Sequence, residues 1–312
     1  MRDNSLNGSP QEHAAARPLY AILVMCAGVF LLVMNDAAAK WLVARYDPFQ
    51  MMFMRSVIAL PLIAGLILAL DGWRAMKTKS LKIHALRGAL SMGTAYAFFL
   101  SLSALPLAEA TSLIFAAPLF VTALSVVLLH DPVDWRRWAA VVCGFVGVLI
   151  VVRPGAETFQ AASVLAVLAA ILHALVMIST RWIDKRDNIR TLMLYVALMP
   201  ALLTSFVLFT AWPSMRPEDP ALFLAMAVFG TSGITLISQA FRMAQAATVA
   251  PFDYTALVWA SILGWIVWGD IPDVWVFVGA AVIIASGIYL ILREARRRAR
   301  TDPREASPPF PM

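Results

Sequence analysis

Apolar residues run along the chain in ten blocks, at 19–42, 48–70, 83–105, 108–129, 134–152, 161–182, 190–211, 220–242, 247–268 and 272–292. A helix needs about 20 apolar residues to cross a bilayer. Each block therefore predicts one transmembrane helix. What remains is short loops and two tails, 1–17 and 293–312, which leaves no room for a soluble domain. The predicted fold class is an all-α polytopic membrane protein of ten helices.

The second five blocks read as a copy of the first five. Ala104 to Thr111 falls opposite Ala244 to Pro251 at a shift of 140, Asp131 over Asp270 and Asp134 over Asp273 at 139, Trp41 over Trp182 at 141, and Pro61 over Pro200 at 139. The copies span 18–153 and 154–292. Five crossings is an odd number, so the second copy enters from the opposite face and the two are inverted about an axis in the membrane plane. Inverted repeats are concentrated among transporters and channels, which build one site between the copies.

Composition agrees. Hydrophobic residues make up 61% of the 312 and charged residues 14%, with a mean hydropathy of +0.77, where soluble domains carry about 25% charge. A net charge of +6 in a soluble chain would raise nucleic acid as a partner. Here the position of the cations matters more than their sum. Counting from a cytoplasmic N-terminus, twenty of the 25 Lys and Arg fall on the inner side. Lys40, Arg45, Arg153 and Arg216 fall outside, and Arg55 lies within a block. Both termini are thus expected in the cytoplasm and no nucleic acid is expected. Ala37 to Ala39 also fits a signal-peptide cleavage site, but cleavage there would remove the partner of the sixth block. Cys26 and Cys143 both lie inside apolar blocks and give no redox information.

Several motifs carry a family likeness. Arg87-Gly88 opens the third block, and Ala104 to Thr111 leads into the fourth, which contains Pro118. His130-Asp131-Pro132-Val133 is followed by Arg136-Arg137-Trp138, Val152-Arg153-Pro154-Gly155 closes the fifth block, and Gly269-Asp270-Ile271-Pro272 repeats the theme. Over residues 18 to 292 the chain resembles the EamA-type branch of the drug/metabolite transporter superfamily. The resemblance implies ten helices in two inverted repeats, a central cavity lined by spans one to four and six to nine, and a small organic solute as substrate. The stretch Ala250 to Thr255 is similar to that of members associated with riboflavin-type vitamins or S-adenosylmethionine, with amino-acid exporters next.

Polar groups inside the blocks are the candidate site. A charge at mid-bilayer costs at least about 2.5–3.5 kcal/mol, so one retained there pairs or faces a cavity. Asp36 lies roughly 26 Å along the first helix and Arg55 roughly 10 Å into the second. With Lys40 they would meet in the outer half. Alternatively, Asp36 and Lys40 form an i,i+4 pair and Arg55 snorkels to the headgroups. Asp253 ranks first among the acids: it breaks its own repeat, standing over Leu113, and Pro251 beside it favours a bend of the kind that marks transporter sites. A protonated carboxyl or a pair with Arg242 is the bland alternative. Tyr254 and Trp259 offer aromatic faces for a cation or flat ring, or simply pack. His173 sits near mid-membrane, where it carries a proton or bonds a neighbouring carbonyl. Glu109 opens the fourth helix, where its charge suits the helix dipole. Gly93 and Gly233, matched across the repeats, point to close helix packing.

No P-loop, HExxH or paired-cysteine motif occurs, and the four His are dispersed. No catalytic residue, metal or cofactor is therefore expected. The reading is a multi-pass inner-membrane secondary transporter, monomer or homodimer, moving a small organic metabolite by alternating access. Asp253, Tyr254, Trp259, Asp36, Arg55 and His173 would bind it, with Asp253, Asp36 and His173 as proton-coupling groups. A lipid-modifying membrane enzyme and a non-transporting sensor are the competing classes.

Overall fold

The computed structural model describes residues 10–70, 72, 78, 80–130, 134–154, 160–179, 182, 189–244 and 246–301. Among these, all regular structure is helical and no strand occurs. The helices are α1 (Pro10–Leu42), α2 (Pro48–Leu70), α3 (Leu81–Leu102), α4 (Leu107–Ile114), α5 (Ala117–Leu129), α6 (Trp135–Val152) and α7 (Ala161–Ser179). The second half holds α8 (Ile189–Leu203), α9 (Asp219–Met243), α10 (Ala246–Val249), α11 (Thr255–Trp268) and α12 (Val274–Thr301). Eight stretches are long and apolar enough to cross a membrane, and 194–209 is a shorter apolar one. At 22 residues α3 has the length, but it carries Lys82, His84 and Arg87 in its first two turns.

Proline explains where helices break. The fourth block is two helices: Pro118 has no N–H to return to the carbonyl of Ile114, and the chain kinks between α4 and α5. In the ninth block Pro251 sits in a 3₁₀ turn, Ala250–Tyr254, that joins α10 to α11. Breaks thus occur at matching places in the two halves. α1 begins at Pro10, and α12 runs on to Thr301, because the Arg/Ala/Glu-rich segment after Leu292 is made of strong helix formers that extend an existing helix. Residues 1–9 and 302–312 lie outside the described residues.

The two halves interlock instead of forming separate lobes. α1 packs on α9 and α3 on α7; α2 packs on α8 and α6 on α12; α1 meets α11 and α7 meets α5; α2 meets α9 and α8 meets α3. Exchanging each helix for its counterpart in the other half returns the same set of pairs, so the repeat in the sequence is also a repeat in the packing. One core, including Met25, Leu42, Leu113, Ala170 and Phe223, draws on both halves. Where α1 crosses α9 the backbones touch: a Cβ on Gly28 would lie 2.9 Å from the Gly233 carbonyl, and one on Gly233 2.9 Å from the Gly28 carbonyl. Small residues allow that approach, as the matched glycines predicted.

Ion pairs gather at the two ends of the bundle. Arg153, ending α6, pairs with Asp273 before α12 at 2.7 Å, and Arg293 of α12 pairs with Asp134 before α6 at the other end. The two pairs are related by shifts of 139 and 140, the spacing of the repeat. α6 and α12 are thus clamped top and bottom by symmetry-related bridges.

Candidate functional site

Asp36 and Arg55 lie on either side of Asn35, close to Gly230 of α9. Asn35 precedes Asp36 on α1 and donates from Nδ2 to its Oδ1 at 2.8 Å. A Cβ built on Gly230 of α9 would lie 2.7 Å from Arg55 Nη2 and 2.8 Å from Asn35 Oδ1. Hence the guanidinium and the amide flank the same spot on α9. No ion pair within 4.0 Å joins Asp36 to Arg55 among the described residues. Asn35 is 3% exposed and its Oδ1 has no partner. The signal available beforehand was the polar doublet Asn35-Asp36 in an apolar block.

Lys40 does not pair with Asp36. It reaches away from the cluster, donating to Asp270 Oδ2 at 3.0 Å and to the Leu105 carbonyl at 2.8 Å, with its ammonium 5.2 Å from the Trp268 ring centre. This ties α1 to the start of α4 and the end of α11. The same end of the bundle carries a second tie. Arg45 pairs with Asp219 of α9 at 2.9 Å, and the Tyr46 hydroxyl donates to the same carboxylate at 2.7 Å. Burial and that bond push the Tyr46 hydroxyl up to about 12. Gln50 of α2 donates to the carbonyl of Ala211 at 3.0 Å. Residues from both halves thus close this end.

Asp253 lies on the 3₁₀ turn between α10 and α11, half-buried and without a hydrogen bond or ion pair among the described residues; the pair with Arg242 does not form. Its neighbour Tyr254 turns the other way. Tyr254 is 8% exposed, its ring meets Phe115 edge to face at 4.9 Å, and its hydroxyl presses against Gly287 of α12 without a partner. It joins the two helix breaks. Trp259 packs edge to face on Phe30 of α1 at 5.0 Å, and its indole N–H is buried without a partner.

His173 is exposed, although it continues the face that carries buried Ala166, Ala169 and Ala170 at three- and four-residue spacing. That face packs α7 on α3 and α5 and stays buried past His173, at Ala174 and Ile178. Near the same end of α7, Arg87 of α3 donates to the Val176 carbonyl at 2.9 Å and to Ser179 Oγ at 3.2 Å. Glu109, in the first turn of α4 as expected, accepts from Ser163 at 3.4 Å. No cluster of metal-ligating side chains occurs among the described residues. A depression of about 280 Å³ lined by Ser261, Ile262, Trp265, Ile271 and Pro272 is apolar and lies apart from these charges.

This arrangement holds polar groups in hydrocarbon-length helices with few protein partners, a condition that a polar ligand would relieve. Comparison with known proteins agrees with a membrane carrier. The model of the EamA-like transporter family matches twice, over residues 19–153 and 160–293. The chain is 28% identical over 270 residues to the S-adenosylmethionine uptake transporter of Rickettsia bellii, covering 85% of this chain and 91% of that one. It is 27% identical over 294 residues to the riboflavin transporter of Vibrio cholerae, covering 90% and 95%. A solved crystal structure at 20% identity superposes with a TM-score of 0.58 over 89% of this chain and 98% of its own, which establishes a shared fold.

Proposed function

The chain belongs to the EamA-like transporter family, and from that premise we propose that it is a secondary transporter of the bacterial inner membrane that moves a small organic metabolite by alternating access. The substrate is S-adenosylmethionine or a vitamin of the riboflavin type, in line with the similar carriers. The ten helices span as two inverted five-helix repeats, 18–153 and 154–292, with α3 and α8 completing the eight strongly apolar spans and both termini in the cytoplasm. The few basic residues at the end held by Lys40 and Arg45 support placing that end outside.

One observation carries the mechanism. Helix breaks stand at corresponding positions of the two halves, between α4 and α5 and between α10 and α11, where carriers of inverted design bind their cargo. Asp253 lies on the second of these breaks. In this reading the Lys40 and Arg45 ties close the outer end. Substrate binding at the centre would then release the outer ties as the inner ends of α3, α5, α7 and α9 draw together. Asp253, Asp36 and His173 are the proton-coupling groups.

The experiment is exchange of labelled S-adenosylmethionine and riboflavin into proteoliposomes preloaded with the same unlabelled compound. Saturable counterflow of either supports the proposal. Binding without counterflow makes the protein a sensor, and absence of both rejects these substrates.

A further inference from the structure

The group of polar atoms around Gly230 has more chemical content than a generic polar site. We infer that Asn35, Asp36 and Arg55 form a subsite for an α-amino-acid head group: Arg55 takes the carboxylate, and Asp36 with the Asn35 side-chain carbonyl takes the ammonium. The inference rests on the transport reading above and narrows its substrate class to compounds that carry a zwitterion.

The argument begins with unmet bonding capacity. Arg55 presents five N–H donors, and among the described residues none of them has a protein acceptor. Asp36 accepts one bond, from Asn35 Nδ2, and has capacity for more. Donating that bond orients the Asn35 amide so that its Oδ1 faces away from Asp36, buried and unpaired, against Gly230 beside Arg55. A buried acceptor left without a donor keeps its full desolvation penalty. Moving an acceptor toward Arg55 would remove the deficit, yet the structure keeps the guanidinium and its natural partners apart.

The separation matters electrostatically. Opposite charges attract more strongly in a low-dielectric interior than in water, so holding them apart has a cost that a ligand bridging them recovers. Charge balance selects the ligand. A lone anion satisfies Arg55 and is repelled by Asp36, and a lone cation does the reverse. A carboxylate and an ammonium on one carbon satisfy both, and the planar guanidinium matches the carboxylate through two parallel bonds. Gly230 keeps the space: a methyl there would sit within 2.8 Å of both Arg55 Nη2 and Asn35 Oδ1.

The test is competition for labelled S-adenosylmethionine on the full-length protein in liposomes. The competitors are unlabelled S-adenosylmethionine, its decarboxylated form, 5′-methylthioadenosine and L-methionine. The expected result is at least tenfold weaker competition by the decarboxylated form and by 5′-methylthioadenosine. Arg55→Lys, which keeps the charge and loses the fork, should shrink that ratio to about twofold or less while leaving affinity for the decarboxylated form nearly unchanged. A ratio within one protein preparation is insensitive to the fraction that folds. L-Methionine competing as well as S-adenosylmethionine assigns the subsite to free amino acids, and weaker competition assigns it to the larger conjugate; both support it. Equal competition by the decarboxylated form, or a uniform loss for all compounds in Arg55→Lys, overturns it. Riboflavin counterflow that S-adenosylmethionine fails to inhibit overturns the subsite and leaves the transport reading intact, whereas no counterflow of S-adenosylmethionine, L-methionine or riboflavin defeats both.

Discussion

Phe115 and Tyr254 meet edge to face, ring centres 4.9 Å apart and planes at 63°, and they stand at the two helix breaks. Each ends a turn that its following or preceding proline prevents from continuing as regular helix. The contact therefore sits where the two copies of the repeat face one another. Tyr254 has been drawn into this joint and its hydroxyl is buried against Gly287 without a hydrogen-bond partner.

Tyr254→Phe is accordingly expected to keep substrate affinity within about twofold, and to raise stability by up to about 1–2 kcal/mol, because it removes a buried unsatisfied hydroxyl. Tyr254→Ala should instead lower stability by about 3 kcal/mol or more by emptying the joint. Substrate binding and thermal unfolding of both variants decide it. A fivefold or greater loss of affinity in Tyr254→Phe would return the residue to the binding site.

Asp253, one residue earlier, has the opposite surroundings: half-buried and unpaired among the described residues. Asp253→Asn keeps the shape and removes the ionisable group. Counterflow at saturating substrate should persist, while accumulation driven by an imposed pH gradient should fall at least tenfold. Full accumulation at every pH would remove Asp253 from proton handling.

The helical pattern, the repeat and the break near Pro251 were all legible in the sequence, because bilayer thickness and the missing proline N–H act locally along the chain. The nearness of Asp36 and Arg55 was also legible, since depth alone put both in the outer half. The partner of Lys40 was not. Its i+4 spacing from Asp36 satisfies a local rule, and Asp270 lies 230 residues away, so only the interlock of the two halves reveals it. Asn35 was missed for the same reason, and the direction of Tyr254 depends on its rotamer against α12, which periodicity does not encode.

Gly230→Ala tests the spacing around Arg55. The added methyl would come within 2.7 Å of Arg55 Nη2 and 2.8 Å of Asn35 Oδ1, so one of them must move. An alanine is intrinsically the better helix residue by about 1 kcal/mol. Substrate affinity is expected to fall at least tenfold with no loss of thermal stability greater than about 2 kcal/mol. Unchanged affinity would show that the substrate does not use this side of α9.

The two clamps on α6 and α12 make a pH prediction. The Arg153 guanidinium bonded to Asp273 holds that carboxyl below the usual range. Burial alone would raise Asp134, but its bonds to Arg293 and to the Arg137 amide also keep it low. A depressed carboxyl contributes stability that is complete above its unfolded value, about 3.9, and is lost as the pH falls through the lower folded value. Melting temperature in detergent should therefore decline between about pH 4 and pH 3. Asp134→Asn with Asp273→Asn should flatten that decline. An identical slope in the double variant would show that other carboxyls carry the acid transition.

Because the two clamps are related by the repeat and both are closed, they cannot be the elements that alternate. The Lys40 tie is of a different kind. It joins α1 to Leu105 before α4 and Asp270 after α11, three segments that must separate for the outer end to open. Removing the ammonium deletes two hydrogen bonds and the contact with Trp268, worth together about 1–3 kcal/mol, or about five- to 150-fold in the ratio of closed to open outer end. Lys40→Met should therefore raise labelling of a cysteine placed at Ala37 by an impermeant maleimide added outside, in a protein with Cys26 and Cys143 replaced. Lys40→Asp combined with Asp270→Lys should restore protection, since the swapped charges still face each other. Labelling that stays at the wild-type rate in Lys40→Met would mean that the Arg45, Tyr46 and Asp219 network closes the outer end unaided.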